Sequence, residues 1–130
     1  MERTLVQVDA DGFLPQELLR GAKAWHYHIF TMGPLALGAI FARANGIDIA
    51  DARFHRVARR TLAGYADAAA FDRRTGVTQT PFAERPNVGW LELYAGAFEA
   101  REALAFLQGR RPQRQPWLGG DLTLWYARDV

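Results

Sequence analysis

AKAWHYHIFTMGPLALGAIFARA, residues 22–44, carries apolar side chains along two stripes of one helical pattern. Tyr27, Phe30, Pro34, Leu37 and Phe41 follow one stripe; Trp25, Ile29, Met32, Leu35 and Ile40 follow the other. A helix apolar on two sides is buried on two sides, which places it within helical layers rather than on a surface. Asn45-Gly46 supplies a stop at its C-terminal end. Pro34 predicts a kink, because its ring removes a backbone donor and crowds the preceding turn. The longest apolar part, Ile29 to Phe41, is too short to span a bilayer.

Upstream, Leu5, Val6 and Val8 form a short apolar run that ends in the turn cluster Asp9-Ala-Asp-Gly12. Pro15 suits a first helical position and Glu17 favours a helix N-terminus, but Gly21 interrupts, so residues 14–20 read as a short turn. Downstream, Asp48 or Asp51 caps a helix over residues 50–66, whose apolar face is Phe54, Val57, Ala58, Thr61, Leu62 and Tyr65. Arg53, Arg56, Arg59 and Arg60 spread over its other faces. Residues 67–89, with Thr75-Gly76, Pro81 and Pro86, read as an irregular connection. A third helix is expected over 89–107, carrying Trp90, Leu91, Tyr94, Phe98, Leu104 and Leu107. Residues 110–120 read as a loop and 122–127 as a short strand-like segment. The fold class is all-α, built from antiparallel helix pairs.

The chain has 130 residues, the size of one domain or a piece of a larger one. An apolar fraction of 49% is enough for a core, which argues against disorder. Without cysteine there is no disulfide framework and no thiolate metal site. No signal-peptide pattern stands at the N-terminus. Net charge is only +2, but the basic residues are almost all arginine, Lys23 being the sole lysine. A GC-rich coding bias explains that most simply. An anionic ligand is the functional alternative, since arginine grips carboxylates and phosphates bidentately. The near balance of charge gives little support to nucleic-acid binding, and nothing points to a membrane.

The first stretch also concentrates proton donors. Arg20 and Tyr27 lie seven residues apart, about 10 Å along an unbroken helix, so they could reach a common ligand. A guanidinium beside a phenol favours the phenolate, and such a tyrosine can act as general acid or base. The bland alternative is a core tyrosine with its hydroxyl hydrogen-bonded. His26 and His28 point to different faces and make poor co-ligands for one metal, so no metal site is expected. His55, on the arginine-rich helix, reads as solvated or capping.

Several words in order carry a resemblance. They are Asp9-Ala-Asp-Gly-Phe-Leu-Pro-Gln-Glu-Leu-Leu-Arg-Gly21, Trp25-His-Tyr-His28, Pro34-Leu35 and Ala42-Arg-Ala-Asn-Gly-Ile-Asp48, then Trp90-Leu-Glu-Leu-Tyr94 and Leu118-Gly-Gly-Asp-Leu-Thr123. They resemble the alginate lyases of polysaccharide lyase family 5, whose pattern runs D-x-x-G-x-L-P-x-E-L-x-R, then Y-H, P-L, A-x-A-x-G-x-D, W-L-E-P-Y and L-G-G-D/E-V-T. The resemblance covers nearly the whole of residues 1–130 and is to the C-terminal part of the domain.

What it implies is part of an α/α toroid that cleaves mannuronate-rich alginate by β-elimination, in the periplasm or outside the cell, without a cofactor. In that mechanism the uronate carboxylate is neutralised, the C5 proton is removed and a tyrosine protonates the departing O4. By position Tyr27 matches the catalytic tyrosine and Arg20 the active-site arginine. His28 matches a family histidine and is a candidate either for touching substrate or for supporting a residue that does; His26, Trp90 and Glu92 are further candidates for the sugar cleft, with packing the simpler account of Trp90 and Tyr94. Arg114 is a stand-in for a family arginine whose place is taken by Trp117. Leu93 replaces the family's proline. The family's Asn-His pair, which neutralises the carboxylate, has no counterpart, since the two asparagines, Asn45 and Asn87, do not precede a histidine. The expected consequences are little activity from this chain alone and self-association through exposed helix faces. The alternative is a non-catalytic helical module that binds anionic polysaccharide or a partner chain.

Overall fold

The computed structural model of the chain describes residues 1–81 and 87–127. Within them it is mostly helical: α1 Glu2–Val6, α2 Pro15–Leu18, α3 Ala24–Ala44, α4 Ala52–Ala63, α5 Ala69–Thr75, α6 Trp90–Phe98, α7 Arg101–Leu107 and α8 Leu122–Tyr126. Two-residue strands β1, Arg114–Gln115, and β2, Gly120–Asp121, pair antiparallel. The all-α class is correct at this level.

The long helix α3 runs as one element past Pro34 and packs against α2, α4, α5 and α6. Ala24, Trp25, His28, Ile29, Met32, Leu35, Ala36 and Ala39 face the core. The stripe of Tyr27, Phe30, Pro34, Leu37 and Phe41 is largely outside it: Phe30 is 59% and Phe41 60% exposed, and Pro34 is exposed as well. The helix buried on every side is instead α6, whose residues Trp90 to Gly96 are all buried.

Local chemistry explains most of the boundaries. The Asp51 carboxylate accepts the backbone N–H groups of Arg53 and Phe54 at 2.8 and 3.2 Å and starts α4. In the Asp9 turn, the carboxylate accepts from the N–H groups of Asp11 and Phe13. Gly12 is needed there twice over, for a φ of +86° and because a Cβ would lie 2.6 Å from the Arg56 carbonyl oxygen.

Four expectations are corrected. Residues 2–6 form a helix where only an apolar run was expected. The connection over 67–89 contains α5, started by the Asp67 carboxylate on the Ala69 N–H and ended at Gly76 with a φ of +74°; residues 82–86 lie outside the described part. The helix over 89–107 is two, α6 and α7, because Glu99 adopts the left-handed region with φ 54° and Ala100 is extended. The segment 122–127 is helical, since Asp121 caps it through the Leu124 N–H at 3.0 Å. The strand character sits before it, where Gly119 and Gly120, both at positive φ, turn the chain back.

The C-terminal segment is held by charge inside the protein. Glu92, on α6, is 0% exposed. Its carboxylate accepts from Arg111 Nε at 2.9 Å, from Arg111 Nη2 at 3.0 Å and from the Thr123 hydroxyl at 2.7 Å. An aromatic layer of Phe54, Tyr94 and Phe98 joins α4 to α6, with centroid separations of 5.0 to 6.1 Å. Contacts of this kind contribute about 0.5–1.5 kcal/mol each beyond area burial.

Candidate active site

Tyr27 lies on the first turns of α3, half-buried, and the Arg20 guanidinium carbon sits 4.6 Å from its ring centroid. The two do not share one continuous helix. Residues 21–23 form a single 3₁₀ turn with Gly21 at φ +55°, so the arginine folds over the ring face from the preceding turn. This cation–π geometry is worth about 0.5–1 kcal/mol where exposed. Glu17 completes the arrangement. Its carboxylate lies 3.9 Å from Arg20 Nε and accepts from the Thr31 hydroxyl at 3.2 Å, and Thr31 stands one helical turn after Tyr27. His26 is exposed beside Tyr27, with ring centroids 6.4 Å apart. A phenol at the solvent boundary, with a cation on its face and a carboxylate behind that cation, can exchange a proton with an incoming anionic ligand.

Two buried polar groups hold this turn. The Gln79 side chain accepts the Trp25 N–H at 2.9 Å and donates to the Gly21 carbonyl at 3.0 Å, while the Thr80 N–H donates to the Ala22 carbonyl at 2.7 Å. Gln79 thus caps α3 from a point distant in sequence. His28 does the same for the residues before α2. Its Nε2 accepts from the Leu14 N–H at 2.9 Å and its Nδ1–H donates to the Ala24 carbonyl at 2.8 Å.

The candidates separate accordingly. Tyr27, Arg20 and His26 are brought together. His28 is 0% exposed with both ring nitrogens engaged, by the Leu14 N–H and the Ala24 carbonyl. Glu92 and Trp90 are 0% and 1% exposed, and Trp90 donates its indole N–H to the Tyr65 hydroxyl at 3.0 Å. Arg114 is exposed on β1 and pairs with Asp121 at 3.1 Å. His55 is not simply solvated, because its Nδ1 lies 3.0 Å from the Tyr94 hydroxyl. Burial and then the Arg59 guanidinium hold its imidazole below the usual range, and burial pushes the Tyr94 phenol up to about 12. Glu17, Thr31 and Gln79 were missed. The spacings of Glu17 to Arg20 and of Tyr27 to Thr31 are visible in the chain; nothing local marks Gln79.

Burial lowers the His28 pKa to about 4 from 6.5. Above pH 6.5 folded and unfolded chains both hold it neutral, and its contribution is complete. As pH falls from 6.5 towards 4, the unfolded chain takes up a proton that the folded chain excludes, so stability is lost, by about 3 kcal/mol in all. Urea melts between pH 7 and pH 4 are expected to show that loss in excess over His28→Gln; equal pH slopes would refute it.

Comparison with known proteins adds a pattern over the whole chain. A family model described as Alginate lyase matches residues 1–71. A polysaccharide lyase of Stenotrophomonas maltophilia is 38% identical across 99% of this chain and 39% of its own length. An alginate lyase of Pseudomonas fluorescens is 39% identical across 92% of this chain and 34% of its own length. An alginate lyase of Cobetia marina is 37% identical across 92% and 34%. The chain thus spans between a third and two fifths of the length of these curated relatives.

Proposed function

The chain belongs to the alginate lyase family, and from that premise we propose that it is the C-terminal, tyrosine-bearing part of a polysaccharide lyase domain of α/α toroid form. The substrate class is a mannuronate-rich alginate or a related uronic acid polymer. The observation that carries the reading is the Arg20 guanidinium held over the Tyr27 ring at the edge of the core. In the reaction, the C5–H bond breaks and its electron pair forms the C4–C5 double bond. The C4–O4 bond breaks in turn, and the departing O4 receives a proton. Tyr27 supplies that proton and, for mannuronate stereochemistry, also removes the one at C5. Arg20 faces the carboxylate charge that grows as the enolate develops. His26 is a contact at the rim of this site, and Arg114 one on the separate β1 surface. Periplasmic or secreted placement belongs to the same proposal; among the described residues no helix is long and apolar enough to cross a membrane.

The test is incubation of the chain with polymannuronate and other uronic acid polymers, following the ultraviolet absorbance of the unsaturated sugar. The chain alone is expected to show little or no turnover, because the carboxylate-neutralising Asn-His pair is not among its residues. Each such electrostatic contribution is worth about 3–4 kcal/mol. Activity equal to that of the longer relatives would overturn this account.

The exposed stripe of Phe30, Pro34 and Phe41 supports a proposal about partners: in isolation, a second copy of the chain covers it. Sedimentation velocity over a concentration series is expected to show self-association that Phe30→Ser with Phe41→Ser removes. A monomer at every concentration would sink the proposal.

A further inference from the structure

Arg56, Arg59 and Arg60 line one stripe of α4, together with Ala63, and face Ala10 and Asp11 of the preceding turn. Between them lies a groove of about 400 Å³, within the size range of small-ligand sites. The helix and the turn are held apart at fixed spacing. Arg56 Nη1 donates to the Asp9 carbonyl at 3.3 Å, and Arg60 Nε donates to the Asp11 carbonyl at 2.8 Å while its guanidinium lies 4.8 Å from the Phe13 ring centroid. Carbonyl acceptors orient these guanidiniums without cancelling their charge. The Asp9 carboxylate is taken by Arg74 at 2.7 Å, and the Asp11 carboxylate, 65% exposed, lies 3.4 Å from the same guanidinium in an equally open pair. Arg59 pairs with Glu102 at 3.4 Å, but both side chains are largely exposed, 67% and 44%, so water and other anions compete for that contact. The groove therefore presents two cations oriented by carbonyls, Arg56 and Arg60, and a third, Arg59, whose Glu102 partner is exchangeable, with the Asp11 carboxylate on the opposite wall.

We propose that this groove is a second anion-binding site that takes the carboxylates of a polyuronate chain, apart from the Tyr27 site. It rests on the reading that a polyuronate is this chain's ligand. Trp25 faces α4, donating its indole N–H to the Thr61 carbonyl at 3.1 Å. Tyr27 is two residues further, about 200° around α3, and so looks away from α4. Successive arginines one turn apart stand about 6 Å along the helix, so neighbouring carboxylates on one chain can each meet a guanidinium fork. A site of this kind retains polymer without cleaving it, raising the residence of substrate near the catalytic tyrosine.

The experiment is a residue-resolved NMR titration of the 130-residue chain with a short mannuronate oligomer, a neutral oligosaccharide of equal length and inorganic phosphate. Shifts at the amides of Asp11, Gly12, Arg59 and Arg60 are expected with the oligomer only. Arg59→Glu is expected to weaken them at least fivefold, without disturbing the carbonyl contacts that Arg56 and Arg60 make. Arg73→Glu, an exposed arginine outside the groove, and Tyr27→Phe should each leave groove affinity within twofold. Unchanged affinity in Arg59→Glu, equal shifts with the neutral sugar, or displacement by phosphate at matching concentration would each overturn the assignment. The readout is binding, so absence of elimination in the lyase assay leaves it standing, and loss of groove shifts leaves the Tyr27 proposal standing.

Discussion

Tyr27→Phe is expected to cut β-elimination at least about a hundredfold, the lower end of what a positioned proton-transfer group contributes. The measurement needs a competent enzyme, made by supplying the chain with the remaining sequence of a relative such as the Stenotrophomonas maltophilia lyase. Phenylalanine preserves the ring that lies under the Arg20 guanidinium, so the fold and the cation–π contact should survive and polymer binding should change little. That split separates a proton-transfer role from a packing role: if Tyr27 merely fills space, turnover in the variant stays within a few-fold of the parent. Arg20→Lys is a useful companion, because it keeps the charge but loses the planar group that stacks on the ring. An intermediate loss of turnover with nearly unchanged binding is the expected result.

Glu92→Ala should produce the largest loss of stability. The carboxylate is fully buried and serves three donors, two from Arg111 and one from Thr123. Removing it takes the Glu92 charge away from a half-buried guanidinium and detaches the C-terminal segment from α6. Breaking a buried pair by deleting one partner costs roughly 3–5 kcal/mol, a fall in Tm of about 10–20 °C for a chain of this size. Thermal melts by circular dichroism test this directly. A variant as stable as the parent, with weaker polyuronate binding, would instead restore Glu92 to the sugar cleft where the sequence reading had placed it. Glu92→Gln should fall between, keeping the shape and one acceptor while losing the charge.

The contrast between Glu92 and Tyr27 shows why the two were not equally legible. Both stand in words that resemble a lyase family, and a word in the sequence does not say which way its side chains face. Trp90-Leu-Glu-Leu-Tyr94 is almost continuously apolar around a polar centre, a pattern that a lined cleft and a buried ion pair share. The partner that decides between them, Arg111, is nineteen residues away in a loop. For His28 the deciding groups are the Leu14 N–H and the Ala24 carbonyl, neither of which involves a side chain that a motif could display.

By itself the sequence determined the helical class, a long helix over 22–44, which the structure begins at Ala24, a cap at Asp48 or Asp51, and the candidate pair Arg20 and Tyr27. Each depends on spacing within a turn or two, or on a side chain acting on its own neighbouring backbone. Tertiary structure alone decided that Arg20 reaches Tyr27 by folding back over Gly21, that Gln79 caps α3, that Glu92 and His28 are buried with their polar atoms engaged, and that three arginines of α4 line one groove. For the exposed arginines the packing of their backbones is reason enough, and for Gln79, Glu92 and His28 there is a further one. A buried polar group must find its partner, and the partner is chosen by whichever backbone or side chain the packed core brings within hydrogen-bond reach. That proximity is set by the packing of distant segments and leaves no periodicity in the chain.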